Sequence, residues 1–373
     1  MIKPHNPFLI SGYQGAAYFC NRIQETKMII GAIKNGRNLT LISLRRMGKT
    51  GLLRHSFHQL NPKKINTVYV DLLHTTDTQT LAKEFAKAVI NQLSIGAMKT
   101  SLQKITSFFS GIRPTFSIDP LTGSPSVEID IQHMKEGEKT IEEVFSLLER
   151  QSIPVVVAFD EFQTVTTYSE KNIEARLRSQ IQHLNNVNFI YSGSQKHILS
   201  SMFGDAKRPF YQSTQFLGLD PIAASDYTVF ISNHFERGKL KISKDEIEFI
   251  LNWTYCHTFY IQYFSNRLYD LRRDDSKSSL YVVIENIFQE NEVVFSNYRT
   301  LLTNQQLQLL TAIAKEGIVT QPNAKEFLLK HKLTSSSIQR ALPSLIQKEF
   351  VTKENEGYRV YDVFFGRWLA AKF

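Results

Sequence analysis

Ser43-Leu44-Arg45-Arg46-Met47-Gly48-Lys49-Thr50 places a glycine, an ammonium and a hydroxyl in consecutive positions. Before it runs the short apolar stretch from Leu39 to Ser43, and after it a helical pattern with Leu52, Leu53 and Phe57. A loop between strand and helix with these groups can hold a phosphate chain. Gly48 lets backbone N–H groups approach the anionic oxygens, with Arg45, Arg46, Met47 and Gly51 flanking the same bend. Lys49 then reaches β and γ oxygens, and the Thr50 hydroxyl is placed to coordinate magnesium. The usual pattern opens with a glycine; Ser43 stands there instead, which alters loop shape and leaves the Lys49 and Thr50 chemistry intact.

Val155-Val156-Val157-Ala158-Phe159 ends in Asp160-Glu161, an apolar strand running into two acids. Beside a triphosphate, Asp160 would hold the metal through water and Glu161 would act as general base on the attacking water. A third strand tip, after Tyr191, offers Ser192-Gly193-Ser194-Gln195. Ser194, with Ser192 in reserve, could bridge the γ-phosphate and that water; it could equally cap the helix starting near Lys196. A loose phosphoryl-transfer transition state also takes an arginine, from the same chain or a neighbouring one, worth ~10³ to 10⁵ in rate. Arg46 and Arg208 lead the candidates, ahead of Arg45, Arg176 and Arg178. Delivery by a neighbour would make the chain a homo-oligomer.

Positioning these groups requires a parallel sheet. Short β-type runs at 67–72, 155–159, 189–191 and 215–217 alternate with helical stretches at 80–92, 138–150 and 171–183, the order of strands covered on both faces. Period-two alternation around Phe116 and Ile118, a turn near Gly123, and Val127, Ile129 and Ile131 predict a β-hairpin inserted between 112 and 131. Helical patterns then dominate at 225–235, 244–254, 258–271 and 280–298. Three further helices (305–315, 324–331, 335–347) precede two short strands around a turn at 354–357, the order of a winged helix. The expected division is an α/β core at 1–219, a helical lid at 220–298 and a winged helix at 299–373.

Composition excludes other classes. With 44 Lys and Arg against 35 Asp and Glu, the chain of 373 residues carries +9, which favours polyanionic partners. Cys20 and Cys256 alone make neither a disulfide scaffold nor a zinc ribbon, and fit a reducing cytoplasm. No apolar run reaches the length of a spanning helix, so no membrane partner is expected. The stretch 298–373 holds 11 Lys and Arg and 6 Asp and Glu. In a DNA reader Ser335, Ser336, Ser337, Gln339 and Arg340 would face base edges. Few cations on that helix, Pro343 in its middle, and Glu354 and Glu356 at the wing leave a protein partner as the other reading.

Taken in order, these motifs resemble the archaeal-type ATPase family, a signalling branch of P-loop ATPases related to the AAA+ class, over nearly the whole chain. Phe19-Cys20-Asn21-Arg22, with Glu25 three residues on, is similar to the family segment beside the adenine, with Cys20 and Asn21 where Val-Gly is usual. Ser192-Gly193-Ser194 and Arg208-Pro209-Phe210-Tyr211 look like further family elements. Cys256-His257-Thr258-Phe259-Tyr260 sits where relatives often carry Gly-His-Pro and an aromatic. On that basis His257 is expected either to face the nucleotide or to be a structural histidine among aromatics. The resemblance implies an AAA+-like P-loop fold and ATP or ADP with Mg²⁺ as ligands. It also implies ATP hydrolysis as a conformational switch, with an ATP-gated DNA regulator or a non-hydrolysing scaffold as alternatives.

Overall fold

The computed structural model describes residues 5–94, 109, 113–118, 125–130, 134–275, 278–354 and 356–373. Two compact units emerge from the contacts: Ser11–Pro221, and the residues up to Ile10 together with Ile222–Phe373.

The first unit is built on five parallel strands, β1 (Leu39–Ile42), β2 (Asn66–Asp71), β5 (Val155–Asp160), β6 (Val187–Gly193) and β7 (Gln215–Gly218). Their order across the sheet is β2-β5-β6-β1-β7. Strand β6 therefore lies between β1 and β5, bringing its tip between the loop after β1 and the acids after β5. Alternation of side chains sorts the two faces. Val157, Phe159, Phe189 and Tyr191 pack toward α3 (Thr78–Ser94), α4 (Met134–Glu149), α5 (Ile173–Ile181) and α6 (Lys196–Gly204). Leu39, Leu41, Val156, Ala158 and Ile190 pack toward α1 (Ile23–Lys34) and α2 (Lys49–His58). The β5 strand is buried on both faces, which is why it reads as an unbroken apolar run. The expected hairpin is present as β3 (Arg113–Ile118) and β4 (Pro125–Asp130), paired antiparallel; Ile131 and the turn around Gly123 lie outside the described residues.

The second unit opens with α7 (Ala224–Arg237), α8 (Lys244–Trp253), α9 (Thr258–Asp274) and α10 (Leu280–Thr300). Ser243 and Glu246 form a capping box that starts α8. Phe8 inserts among Phe230, His234, Phe235 and Tyr269, and is fully buried. Asn6 donates to the Asn266 carbonyl at 2.8 Å, and Asn266 in turn donates to the Phe8 carbonyl at 2.7 Å. The expected α/β core spans 1–219, whereas the contacts join the residues up to Ile10 to the later helices.

Next come α11 (Asn304–Glu316), α12 (Lys325–His331) and α13 (Ser335–Gln347), the antiparallel wing β8 (Val351–Glu354) and β9 (Gly357–Val360), and α14 (Val363–Lys372). Thr303 and Gln306 box the start of α11, Thr334 caps α13, and α13 continues through Pro343. Arg359 of β9 and Arg367 of α14 lay their guanidinium groups on the Tyr255 ring, 4.4 and 4.5 Å from its centroid. Arg367 also donates to the Trp253 carbonyl at 3.0 Å, closing the end of α8. Among the described residues no helix is long and apolar enough to cross a membrane.

Candidate functional site

The loop from Ser43 to Gly48 joins the end of β1 to α2. Gly48 caps the helix with φ +92°, a left-handed conformation that a side chain would strain. Arg46 shares the left-handed region at φ +62° and, like Arg45, is exposed. Met47 is buried and its carbonyl lies 3.5 Å from an Arg22 guanidinium nitrogen. Arg22, itself buried, also pairs with Glu25 at 2.7 Å. The Phe19 ring faces Gly51, where an added Cβ would lie 3.5 Å from it, and stacks on His55 with centroids 4.3 Å apart.

Lys49 is buried, and its ammonium turns back onto the loop. It donates to the Leu44 carbonyl at 3.0 Å, the Ser43 hydroxyl at 3.2 Å and the Ser43 carbonyl at 3.4 Å. Burial pulls its pKa below the ordinary lysine value; the charges of Glu161 and Asp160 oppose that, and Arg45 adds to it. Ser43, where a glycine is usual, thus supplies an acceptor to the lysine and donates to the Leu44 carbonyl at 2.9 Å.

Asp160 closes β5 and is buried. Its Oδ2 accepts from Thr50 Oγ1 at 2.6 Å and from the Tyr69 hydroxyl at 2.7 Å, while Oδ1 accepts the Glu161 N–H at 3.1 Å. Burial and the adjoining Asp160 carboxylate push the Tyr69 pKa upward, so its hydroxyl remains a donor. Glu161 turns the chain at φ +54°. Its Oε2 accepts from Gln163 Nε2 at 2.5 Å, Ser194 Oγ at 2.9 Å and Ser194 N–H at 3.3 Å. Arg45 Nε donates to Ser194 Oγ at 3.3 Å. Gly193 leaves room beside this cluster, because a Cβ there would displace the Gln163 amide.

The structure therefore brings Arg45, Lys49, Thr50, Asp160, Glu161 and Ser194 together. Ser192, the reserve, is buried, and among the described residues its hydroxyl has no partner. Arg208 pairs with Glu174, donating from Nε at 3.1 Å and from a terminal nitrogen at 2.5 Å. Arg176 pairs with Glu138, and Arg178 is half-buried on α5. His257 belongs to the other compact unit, where it precedes α9 and its ring lies 4.8 Å from that of Tyr260. Tyr69 and Gln163 were not singled out from the sequence. Tyr69 carries no signal in the sequence, since its place beside Ala158 and Asp160 is set by the register of β2 on β5; Gln163 has none beyond its nearness to Glu161.

Thr50 and Asp160 offer a hydroxyl and a carboxylate, hard oxygen donors suited to a magnesium ion that takes its remaining ligands from phosphate and water. Among the described residues no cluster of three or more His, Cys, Asp or Glu offers an all-protein metal site.

A sequence-family model described as a probable winged helix domain matches residues 293–371. No curated protein matches the chain. Among solved structures, the Walker-type ATPase of Pyrococcus abyssi is similar at 17% identity and TM-score 0.66, over 97% of this chain and 99% of that one. The ORC2 protein of Aeropyrum pernix, solved as ADPNP–ADP complexes, is 13% identical with TM-score 0.59, over 99% and 96%. The ORC1 protein of the same organism, solved in complex with DNA, is 13% identical with TM-score 0.54 over the same shares. At the level of fold these agree with the resemblance to archaeal-type ATPases, and the chain has the fold of an AAA+-like P-loop ATPase followed by a winged helix domain.

Proposed function

We propose that the chain binds ATP at the loop between β1 and α2 and hydrolyses it, using the cycle as a conformational switch. One observation carries this reading: Thr50 and Asp160, from separate elements, meet at 2.6 Å beside the buried Lys49 ammonium. Lys49 exchanges its loop acceptors for phosphate oxygens. Gly48 and Gly51 admit the phosphates to the α2 N-terminus, with Arg45, Arg46 and Met47 framing them and Arg22 fixing the Met47 carbonyl. Magnesium, held by Thr50 and Asp160, supplies charge neutralisation when bound.

Glu161 orients the attacking water and takes its proton, and Ser194 fixes that carboxylate from the tip of β6. Arg46 is the in-chain candidate for transition-state charge; Arg208 would first have to exchange Glu174 for a phosphate. ADP leaves as product. His257 and the lid at 220–298 are proposed to answer the nucleotide, with the core at 1–219 and the winged helix at 299–373 as the other parts. An arginine from a second copy would make the active species a homo-oligomer. Phosphate release from ATP by the purified chain, with Lys49→Ala as control, tests the reading; no turnover and no nucleotide binding by the wild type would refute it.

A second reading has its own observation. On α13, Ser335, Ser336, Gln339 and Arg340 are exposed, and the Aeropyrum pernix ORC1 relative was solved with DNA. Duplex DNA binding that weakens with salt and is reduced by Arg340→Ala would support it. Its absence would leave a protein as the partner of the winged helix.

A further inference from the structure

Tyr69 lies in none of the motifs, yet its hydroxyl reaches the same Asp160 oxygen as Thr50. Sheet register explains how. Tyr69 pairs with Ala158 and Asp71 with Asp160, so the phenol and the carboxylate project from one face of adjacent strands, one repeat apart. Ala158 carries only a methyl group, which leaves the ring room to lean along the strand. The Arg54 guanidinium carbon lies 4.3 Å from the ring centroid, and Arg54 shares α2 with Thr50. Asp160 is thus held from β2 by Tyr69, from α2 by Thr50, and by the Glu161 N–H at 3.1 Å.

We infer that Tyr69 is the positioning residue of the metal-holding carboxylate, fixing the rotamer of Asp160 so that Oδ2 faces Thr50 and thereby setting affinity for the divalent cation that accompanies the triphosphate. The inference rests on the nucleotide-site reading above. A hydroxyl donor behind a ligating carboxylate orients it, and loss of such a partner lowers metal affinity about 10- to 100-fold. Phenylalanine at this position keeps the ring and its contact with Arg54 while removing only the donor.

The experiment measures binding of a fluorescent ATP analogue to the full chain, in EDTA and across a magnesium titration. Tyr69→Phe should raise the magnesium concentration at half-effect by about 10- to 100-fold and leave affinity in EDTA unchanged. An unchanged magnesium midpoint overturns the inference, as does an equal loss with and without metal, which is the mark of a hydroxyl that shapes the whole site rather than the metal-holding carboxylate. Should Tyr69→Phe fail to fold, Tyr69→Met removes the same donor: a raised midpoint with affinity in EDTA unchanged supports the inference and an unmoved one overturns it. A wild-type chain that binds the analogue in neither condition sinks the nucleotide reading itself, a result distinct from either.

Discussion

Replacing Glu161 by glutamine tests the mechanism where the geometry is most explicit. The wild-type Oε2 accepts three hydrogen bonds, from Gln163 and twice from Ser194. An amide oxygen in its place keeps the three donors satisfied but loses the charge, and charge-assisted bonds are roughly twice as strong as neutral ones. Because Glu161 is only half-buried, solvent screening holds the stability loss to about 1 kcal/mol. Catalysis suffers more. Loss of a general base removes a factor of ~10² to 10⁴, about 3 to 6 kcal/mol at ~1.4 kcal/mol per decade. Two assays on one preparation separate the effects: phosphate release at saturating ATP, and equilibrium binding of a fluorescent analogue. Turnover should collapse while affinity stays near that of the wild type. Turnover close to wild type would refute Glu161 as the base, and affinity falling in parallel would show that the carboxylate shapes the site instead.

Lys49→Met should abolish triphosphate binding without lowering the melting temperature near neutral pH, since a buried ammonium is removed. Burial holds the folded-state pKa of Lys49 below its unfolded value, so between the two the unfolded chain binds more protons. Wild-type stability should therefore gain on that of Lys49→Met as pH rises through that window, which melts at stepped pH would show. Ser43→Gly removes one acceptor from Lys49 and should tighten nucleotide binding by about two- to tenfold, read by titration. Phe8→Ala should cost about 3 to 5 kcal/mol in the second unit, seen as an earlier transition in denaturant unfolding monitored by Trp253 and Trp368.

The sheet and its phosphate-type loop were legible because both are local. An apolar run that turns abruptly into Gly48 and Lys49, or into Asp160 and Glu161, is set by burial on two faces followed by a polar strand end. The wing and the helices before it were legible for the same reason, through three helical patterns followed by two short strands around a polar turn. What escaped was set by register and tertiary packing. Nothing near Tyr69 announces that Ala158 will leave it space, and nothing in Arg208 announces Glu174 as its partner. Ser43 read as a missing glycine; folded, it is an acceptor that holds the lysine while no phosphate competes.

The placement of Phe8 has a consequence for how the polypeptide assembles. Phe8 and Asn266, joined by a hydrogen bond, are 258 positions apart, with all of Ser11–Pro221 between them. Closing so long a loop costs chain entropy that local helices never meet. The aromatic nest of α7 and α9 can therefore be completed only after all of Ser11–Pro221 has been made. Contacts of such high sequence separation favour slow maturation.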